Sequence, residues 1–321
     1  MIRFLARRLA LGVIVMFLVL IVVYMLFFAG SPLDIARRMA GRQATPKQVD
    51  AVYHNLGLDR PLLAQFGHFL ARLAFHGDLG TDYYHQVPVT TVLKQDAPVT
   101  ISLVLGAAVI WLMLGVGSGV YSSIRPRSLT DRALTGIALF FYSIPVFVLG
   151  LTLIYLLFYQ FTIHGITLFP ASGYVGVTSD PSQWARHLIL PWLSLALISA
   201  ATYTRLSRTS MLEVLGEDYI RTARAKGLPE SRVILRHALR SALTPVITQF
   251  GIDVAVGLGG AILTETVFGL PGLGRESVQA IQNQDLPVIV GIVIIAAAAV
   301  IVANILVDIA YAVLDPRVAL H

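Results

Sequence analysis

Six long apolar segments constrain this chain more than any other feature of its sequence. Each is long enough to cross the ~30 Å hydrocarbon layer of a bilayer as a helix. They are Leu9–Ala29, Val99–Ser122, Leu134–Phe161, Leu188–Leu212, Pro245–Phe268 and Val288–Leu314. Only 13% of the residues are charged, which is about half the share in a soluble globular chain. The sequence therefore predicts an all-α polytopic membrane protein with six transmembrane helices.

The basic residues predict how these segments are oriented. Arg7 and Arg8 precede the first segment, and the largest basic group, between Arg205 and Arg240, follows the fourth. Because short loops rich in Lys and Arg stay in the cytoplasm, we expect both termini and residues 213–243 to be cytoplasmic. The net charge of +6 then reflects topology, and no nucleic-acid partner is expected. The first apolar run is too long for a signal peptide, so we expect it to be a retained anchor.

Two segments contain residues that affect helix shape and packing. Pro145 in the third segment predicts a kink, because proline removes one backbone hydrogen bond and clashes with the preceding turn. Gly115 and Gly119 in the second segment are four residues apart and would let another helix approach closely. We favour simple packing over a gating role for these positions.

The apolar segments divide the chain into three regions: residues 1–29, an extracytoplasmic segment of residues 30–97, and a five-helix core of residues 98–321. In the second region, Thr45, Pro46 and Gly57 provide the start and stop signals of a short helix. Apolar residues then recur at helical spacing between Pro61 and Phe75. This pattern predicts an amphipathic helix on the membrane surface or on the protein's own outer rim. It would either dock an external partner or cap the helix bundle.

The sequence contains none of the catalytic patterns that we sought. It has no cysteine, no H-E-x-x-H pair, no G-x-S-x-G elbow and no phosphate-binding G-x-x-x-x-G-K-[ST] loop. The eight histidines are scattered, with no pair at the spacing of metal ligands on one helix face. We therefore expect neither a metal site nor an enzyme.

Ionisable residues inside the apolar segments are costly there and often line a water path. With two amides that share a helix face with an acid, they give the predicted translocation-pathway residues: Gln249, Asp253, Glu265, Asn304 and Asp308. Gln249 shares a helix face with Asp253, and Asn304 shares one with Asp308. Asp253 has either a pathway or a subunit-interface role. Glu265 and Asp308 fall near the ends of their segments, which favours structural roles for them.

The predicted cytoplasmic loop contains the charged stretch "EDYIRTARAKGLPESRVILRHALR". Acids at its start and bases near Lys226 suit the dipole of a short helix that begins at Asp218. Gly227 and Pro229 would end that helix, and a second helix would open at Glu230 or Ser231. Such an element fits a groove on a soluble partner. The alternative is a basic loop that meets anionic lipid, and the acids in the loop weaken that interpretation.

"DYIRTARAKGL" and "HALRSALTPVI" resemble the cytoplasmic EAA loop of ABC-importer permeases, in the form found in the dipeptide/oligopeptide/nickel family. "LGLDRPLL", "GDLGTDYY", "SIPVFVLG", "ETVFGLPGLG" and the terminal "LDPR" match the same family in order along the chain. The chain departs from the pattern at Arg221 and Thr222, where Glu and Ala are usual, and at Arg240, where Pro is usual. Asp82 stands where the family more often has Ser.

The resemblance implies a type I ABC-importer permease fold and the first permease subunit of a heterodimer in the bacterial cytoplasmic membrane. The implied partners are a second permease, two ATPase chains, an external solute-binding protein and membrane lipid. No cofactor is implied for this chain, since ATP and Mg would bind the ATPase chains. The implied ATPase-coupling residues are Glu217, Asp218, Tyr219, Arg221, Thr222, Ala223, Arg224, Ala225, Lys226 and Gly227.

The favoured substrate is short peptides, and the family alternatives are nickel chelates, glutathione and haem-like solutes. Two other classes of protein compete with this interpretation. An ion-coupled secondary transporter would carry inverted repeats and paired broken helices, and the two halves of the sequence show no convincing repeat. An intramembrane enzyme would need a recognisable nucleophile or metal set.

Overall fold

The computed structural model describes residues 2–28, 32–41, 44–55 and 57–314. The terminal "LDPR" motif ends at Arg317, and the predicted first span ends at Ala29, so both of these ends lie outside the described residues. Over the described part of the chain the regular structure is helical, apart from one isolated bridge between Thr81 and Pro88. The helices are α1 Ile2–Phe28, α2 Pro32–Ala40, α3 Pro46–Asn55, α4 Leu62–His76, α5 Val89–Ile124, α6 Leu129–Tyr142, α7 Val146–Ile163, α8 Pro181–Leu215, α9 Asp218–Ala225, α10 Glu230–Leu258, α11 Ile262–Val267, α12 Leu273–Asn283 and α13 Leu286–Leu314.

Six of these helices are long and apolar enough to cross a membrane. They are α1, α5, α7, α8, α10 and α13, one for each predicted segment. The predicted all-α polytopic fold with six spans is confirmed. Helix α5 begins at Val89, ten residues before the predicted Val99. The sequence did not indicate this start, because the outer turns of the helix contain the polar residues Lys94 and Asp96. The division at residues 97 and 98 stays a prediction, since a helix can extend beyond the hydrocarbon layer.

The centre of the bundle is formed where α5 packs along α8. A Cβ atom on Gly115 would lie 2.4 Å from Cβ of Tyr203, and one on Gly119 would lie 2.6 Å from the carbonyl oxygen of Thr204. Since real Cβ contacts are longer than this, only glycine allows the two backbones to come so close. Trp111 and Tyr203 are buried at this crossing. The predicted close approach at Gly115 and Gly119 is confirmed.

The third segment is not one kinked helix, as predicted, but two helices. Helix α6 ends at Tyr142 and α7 begins at Val146, with Pro145 in an extended conformation before the first turn of α7. Pro145 cannot donate a backbone hydrogen bond and disfavours a helical conformation at the residue before it. The Ser143 hydroxyl donates to the carbonyl of Leu139 at 2.9 Å and so satisfies one group at the break.

The fifth segment differs from the prediction at both ends. Helix α10 begins at Glu230, so the second helix of the cytoplasmic loop runs without interruption into the membrane span. It ends at Leu258 instead of Phe268, and Gly260 has a φ of +131° at the break. Glu265, which was predicted to lie in this span, belongs to the separate short helix α11. The apolar pattern continues across the break, and for that reason the sequence did not indicate it.

The outer segment contains the two predicted helices, α3 and α4, and also α2, which was not predicted. Helix α4 ends at Gly77, whose φ of +60° provides a left-handed cap. Phe66 of α4 lies 5.0 Å from Tyr24 and 6.0 Å from Phe17 of α1, measured between ring centroids. Leu63 on the same helix is 75% exposed. Helix α4 thus packs one face on the outer half of α1 and leaves apolar surface on the other.

Replacing Gly115 with Ala should destabilise the protein, because the new methyl group would overlap the side chain of Tyr203. Overpacking of this kind costs about 1–3 kcal/mol. Gly117→Ala is the matched control, since a Cβ there has no neighbour within 4 Å. Thermal unfolding in detergent should show a lower midpoint for Gly115→Ala and an unchanged or higher one for Gly117→Ala. Equal midpoints for the two variants would contradict the close packing of α5 on α8.

Candidate functional site

Helix α9 forms from residues that suit each of its ends. Asp218 lies in its first turn and Arg224 in its last, as the helix dipole favours. The helix stops at Gly227, whose φ of +74° is costly for any residue with a Cβ. The backbone N–H groups of Gly227 and Leu228 donate to carbonyl oxygens of the last turn. The predicted short helix and its glycine stop are both confirmed.

One face of α9 is buried against the ends of the transmembrane helices. Ile220 is fully buried and Ala223 is 8% exposed. They pack in an apolar cluster with Met211 of α8 and with Val233 and Ala238 of α10. Of the predicted coupling residues, Ala223 therefore anchors the helix instead of facing outward.

The other face of α9 is polar and exposed. It presents nine of the predicted coupling residues to solvent: Glu217, Asp218, Tyr219, Arg221, Thr222, Arg224, Ala225, Lys226 and Gly227. The side chains of Arg221 and Asp218 are 72% and 95% exposed and form an ion pair at 3.3 Å, which is worth little in water. This face is free to meet a partner surface.

Two polar contacts fix α9 relative to α10. Arg224 forms an ion pair with Glu230 at 2.7 Å across the glycine stop. The Tyr219 hydroxyl donates to the Ser241 hydroxyl at 3.1 Å. Together with the buried apolar face, these contacts make α9 and the start of α10 one unit. The basic residues Arg232, Arg236 and Arg240 at the start of α10 are exposed.

A second polar cluster near the cytoplasmic ends was not predicted from the sequence. Asp131 of α6 is 4% exposed and accepts two hydrogen bonds from Arg208 of α8, at 2.8 and 2.9 Å. Ser122 of α5 also donates to it. Arg208, together with Ser122, holds the pKa of Asp131 well below its usual range. The sequence signal was Ser128 followed three residues later by Asp131. At the start of α6 the Ser128 hydroxyl accepts a hydrogen bond from the Asp131 backbone N–H.

Asp253 and Gln249 come together inside the bundle, as predicted. Gln249 Nε2 donates to one carboxylate oxygen of Asp253 at 2.8 Å, and the Tyr203 hydroxyl donates to the other at 2.8 Å. Tyr203 is fully buried and lies beside the ring of Trp111, 6.1 Å away between centroids. The sequence did not indicate Tyr203, since a lone tyrosine in an apolar span gives no signal of its partner.

Glu265 has a structural environment that explains its complete burial. Its carboxylate accepts from the Thr100 hydroxyl at 2.7 Å and from the Arg275 backbone N–H at 2.8 Å. A Cβ on Gly272 would lie 2.5 Å from the Glu265 carboxyl carbon. The motif "ETVFGLPGLG" is thus a turn folded around its own glutamate and attached to α5.

Asp308 lies apart from the Asp253 cluster. It forms an ion pair with Arg8 at 2.6 Å, which ties α1 to α13, and the Asn304 side chain is exposed. Among the five predicted pathway residues, the structure brings together only Gln249 and Asp253. Glu265 and Asp308 have contacts that suit the structural roles considered for them.

The fold and these sites define a class: a multi-pass helical membrane protein in which two spans are joined by a compact, partly charged cytoplasmic element. Residues 111–320 match the family described as binding-protein-dependent transport system inner membrane component, and residues 1–104 match the N-terminal model of that family. The chain belongs to this family, and it is a multi-pass protein of the bacterial inner membrane.

Named relatives span nearly the whole chain. It is 39% identical over 315 residues to a probable peptide ABC transporter permease of Sinorhizobium fredii, with 98% of each chain covered. It is 38% identical over 342 residues to the dipeptide transport system permease protein DppB of Escherichia coli, with 99% of each covered. An inward-facing structure of the MetNI methionine ABC transporter matches with a TM-score of 0.52 and 18% identity, covering 68% of this chain and 96% of that one. At that identity the likeness concerns the fold alone.

Proposed function

We propose that this chain is one of two permease subunits of an ATP-driven importer of short peptides. The observation that carries the proposal is α9, a polar helix that is exposed on one face and anchored on the other by Ile220 and Ala223. A helix held this firmly outside the membrane spans is suited to transmit movement from a soluble partner. Family membership and the peptide permeases among the relatives support the same assignment.

The proposed role of α9 is to dock into a cleft on an ATPase chain. Its exposed face is acidic at its start and basic towards its end, which would give the docked pair a defined register. The partner's movement would reach the membrane through two helices. Helix α8 ends at Leu215, immediately before α9, and α10 runs from Glu230 to Leu258 without a break. At 1.5 Å per residue, α10 alone is about 43 Å long, enough to carry a displacement through the bilayer.

The proposed assembly contains a second permease, two ATPase chains and an external solute-binding protein. ATP and Mg would bind the ATPase chains, and this chain would hydrolyse nothing itself. Its sequence has no G-x-x-x-x-G-K-[ST] loop to hold ATP phosphates, which supports ATP binding by the other chains. Among the described residues, no group of three or more His, Cys, Asp or Glu is placed to hold a metal ion.

Co-purification tests this proposal against a secondary transporter. When the chain is expressed with its neighbouring genes and isolated in mild detergent, we expect a second permease and nucleotide-binding chains to accompany it. Reconstituted vesicles should take up a labelled dipeptide only with ATP and the binding protein. Competition by nickel chelates, glutathione or haem, but not by dipeptides, would replace the peptide substrate with one of those solutes. A chain that purifies alone and moves solute without ATP would be a secondary transporter.

A second test concerns the glycine that ends α9. Gly227→Arg should reduce uptake by about tenfold or more, because the left-handed conformation costs a residue with a Cβ about 1–2 kcal/mol and a long charged side chain would enter the docking surface. A Cβ at this position meets no atom of the chain itself within 4 Å. Folding should therefore be less affected than docking. The measurements are uptake and ATP hydrolysis by the reconstituted assembly.

Gly227→Asn is the matched control, since Asn tolerates positive φ better than other residues with a side chain. We expect it to retain most of the uptake. If Gly227→Arg assembles with the ATPase chains and transports at the normal rate, α9 does not dock through this end.

Within the same proposal, Gln249 and Asp253 contribute to the translocation pathway and attract the amino terminus of a peptide. In Asp253→Asn the amide oxygen can accept from the Tyr203 hydroxyl, and the amide NH2 can donate to the side-chain oxygen of Gln249 once that amide turns over, so the fold should be preserved. Uptake of a peptide with a free amino terminus should fall about tenfold, equivalent to about 1.4 kcal/mol, whereas an N-acetylated peptide should be unaffected. Unchanged uptake of both peptides would leave Asp253 with a packing role only.

A further inference from the structure

Two buried carboxyl groups join the outer loop before α5 to the junction between α12 and α13. Asp82 of the loop is 1% exposed and Asp285 of the junction is 2% exposed. The two carboxyl groups lie close enough to act on each other. The backbone N–H of Tyr83 also donates to Asp285, at 2.5 Å. These contacts connect distant parts of the chain, since Tyr83 and Asp285 are 202 residues apart.

Each carboxyl group also organises its own segment. Asp82 accepts from the backbone N–H groups of Tyr84 and His85, at 2.6 and 3.0 Å, and contacts His85 Nδ1 at 2.6 Å. Asp285 accepts from the Val288 N–H at 3.3 Å and so caps the start of α13. Any change in the contact between the two carboxyl groups therefore affects both the loop and the outer end of α13.

Two carboxylates in contact and out of water cannot both stay ionised without strong repulsion, so the pair holds one proton. Burial, and then the contact with Asp82, raises the pKa of Asp285 to about 7. Burial alone would raise the pKa of Asp82, but the hydrogen bonds from Asp285 and His85 outweigh it and lower that pKa. The hydrogen bond to Asp82 raises the pKa of His85.

The surroundings provide little compensation for a second negative charge. The other charged and titratable groups that act on this cluster come from α1, α4 and α12: Tyr24, Arg72, Arg275 and Glu276. Glu276 adds to the excess of acids, and burial raises its pKa as well. His85 is the cation in direct contact with the pair, and it is charged only when protonated.

We propose that Asp82 and Asp285 form a proton-operated latch, closed while the pair holds its proton and opened when the extracytoplasmic side becomes alkaline. In acid, a neutral Asp285, an ionised Asp82 and a protonated His85 sum to no net charge. After the loss of two protons the same three groups carry a charge of about −2. The stabilisation from the raised pKa of Asp285 is complete below the ordinary carboxyl pKa of about 4 and is lost as the pH rises through about 7.

The latch lies beside a cleft of about 1,070 Å³ on the outer side of the protein. Tyr83 and Tyr84 of the loop line this cleft together with Arg37 and Tyr53. The Asp82 N–H donates to the Val87 carbonyl at 2.9 Å, so the loop is a closed turn that would move as a unit. Opening of the latch would therefore move Tyr83 and Tyr84 relative to Arg37 and Tyr53, which also line the cleft.

The absence of native cysteine permits a direct test. The full chain is made with Tyr84→Cys and Asn283→Cys, both at exposed positions, and nitroxide labels are attached. Their separation is measured by pulsed electron paramagnetic resonance in lipid nanodiscs, with the co-purifying subunits, between pH 5 and pH 9. We expect a constant distance below about pH 6 and an increase as the pH passes through about 7.

Asp82→Asn and Asp285→Asn supply the specific controls. In either variant the amide can donate to the remaining carboxylate at every pH, so the label distance should stay at its acid value. Asp82→Ser, whose hydroxyl can also donate, replaces Asp82→Asn if that variant fails to insert. Asp59→Asn removes an exposed carboxyl of the same segment, with 45% of its side chain exposed, and should keep the response to pH.

Two results would overturn the latch. One is a separation that is equal at pH 5 and pH 9 in the labelled parent. The other is a response to pH that persists in the variants at Asp82 and Asp285. The measurement requires no transport, so its outcome is independent of the proposed import of peptides.

Discussion

The structure depends first on the absence of water in the bilayer, which obliges every backbone polar group in a span to find a partner within the protein. Helices meet this requirement locally, and the six long apolar segments form helices for that reason. Where a helix stops between the spans, a side-chain hydroxyl supplies a hydrogen bond to a backbone group. The Ser143 hydroxyl bonds the Leu139 carbonyl beside the break at Pro145, and Thr100 bonds the backbone of Leu273 beside the turn around Glu265.

The same constraint explains where the buried charges lie. An isolated ion in a low-dielectric interior is costly, so each buried acid has a donor in contact. Asp131 has Arg208, Glu265 has Thr100, and the half-buried Asp253 has Tyr203. Each of these contacts joins two different helices. The polar residues in the spans therefore fix the positions of the helices.

The sequence predicted those parts of the fold that depend on local patterns. The six spans, α3, α4 and the glycine stop of α9 each have a periodicity or a terminal residue that signals them. The end of α10 at Leu258 was missed because the residues after Gly260 are as apolar as those before it. The pairing of Arg8 with Asp308, 300 residues apart, could not be read from either residue alone. Tyr203 and Arg208 likewise depend on how α8 packs.

Helices α10 and α13 connect α9, on the cytoplasmic side, with the outer side of the protein. A Cβ on Gly251 of α10 would lie 2.1 Å from Val307 of α13, so their backbones are in close contact, and the hydroxyls of Thr248 and Tyr311 meet at the same crossing. Close-packed interiors transmit strain instead of absorbing it. Helix α10 begins in the unit that it forms with α9, and α13 begins at Leu286, directly after Asp285 of the carboxyl pair. A displacement of α9 therefore has a continuous packed route to the outer end of α13, where one proton decides whether that end is held by the loop.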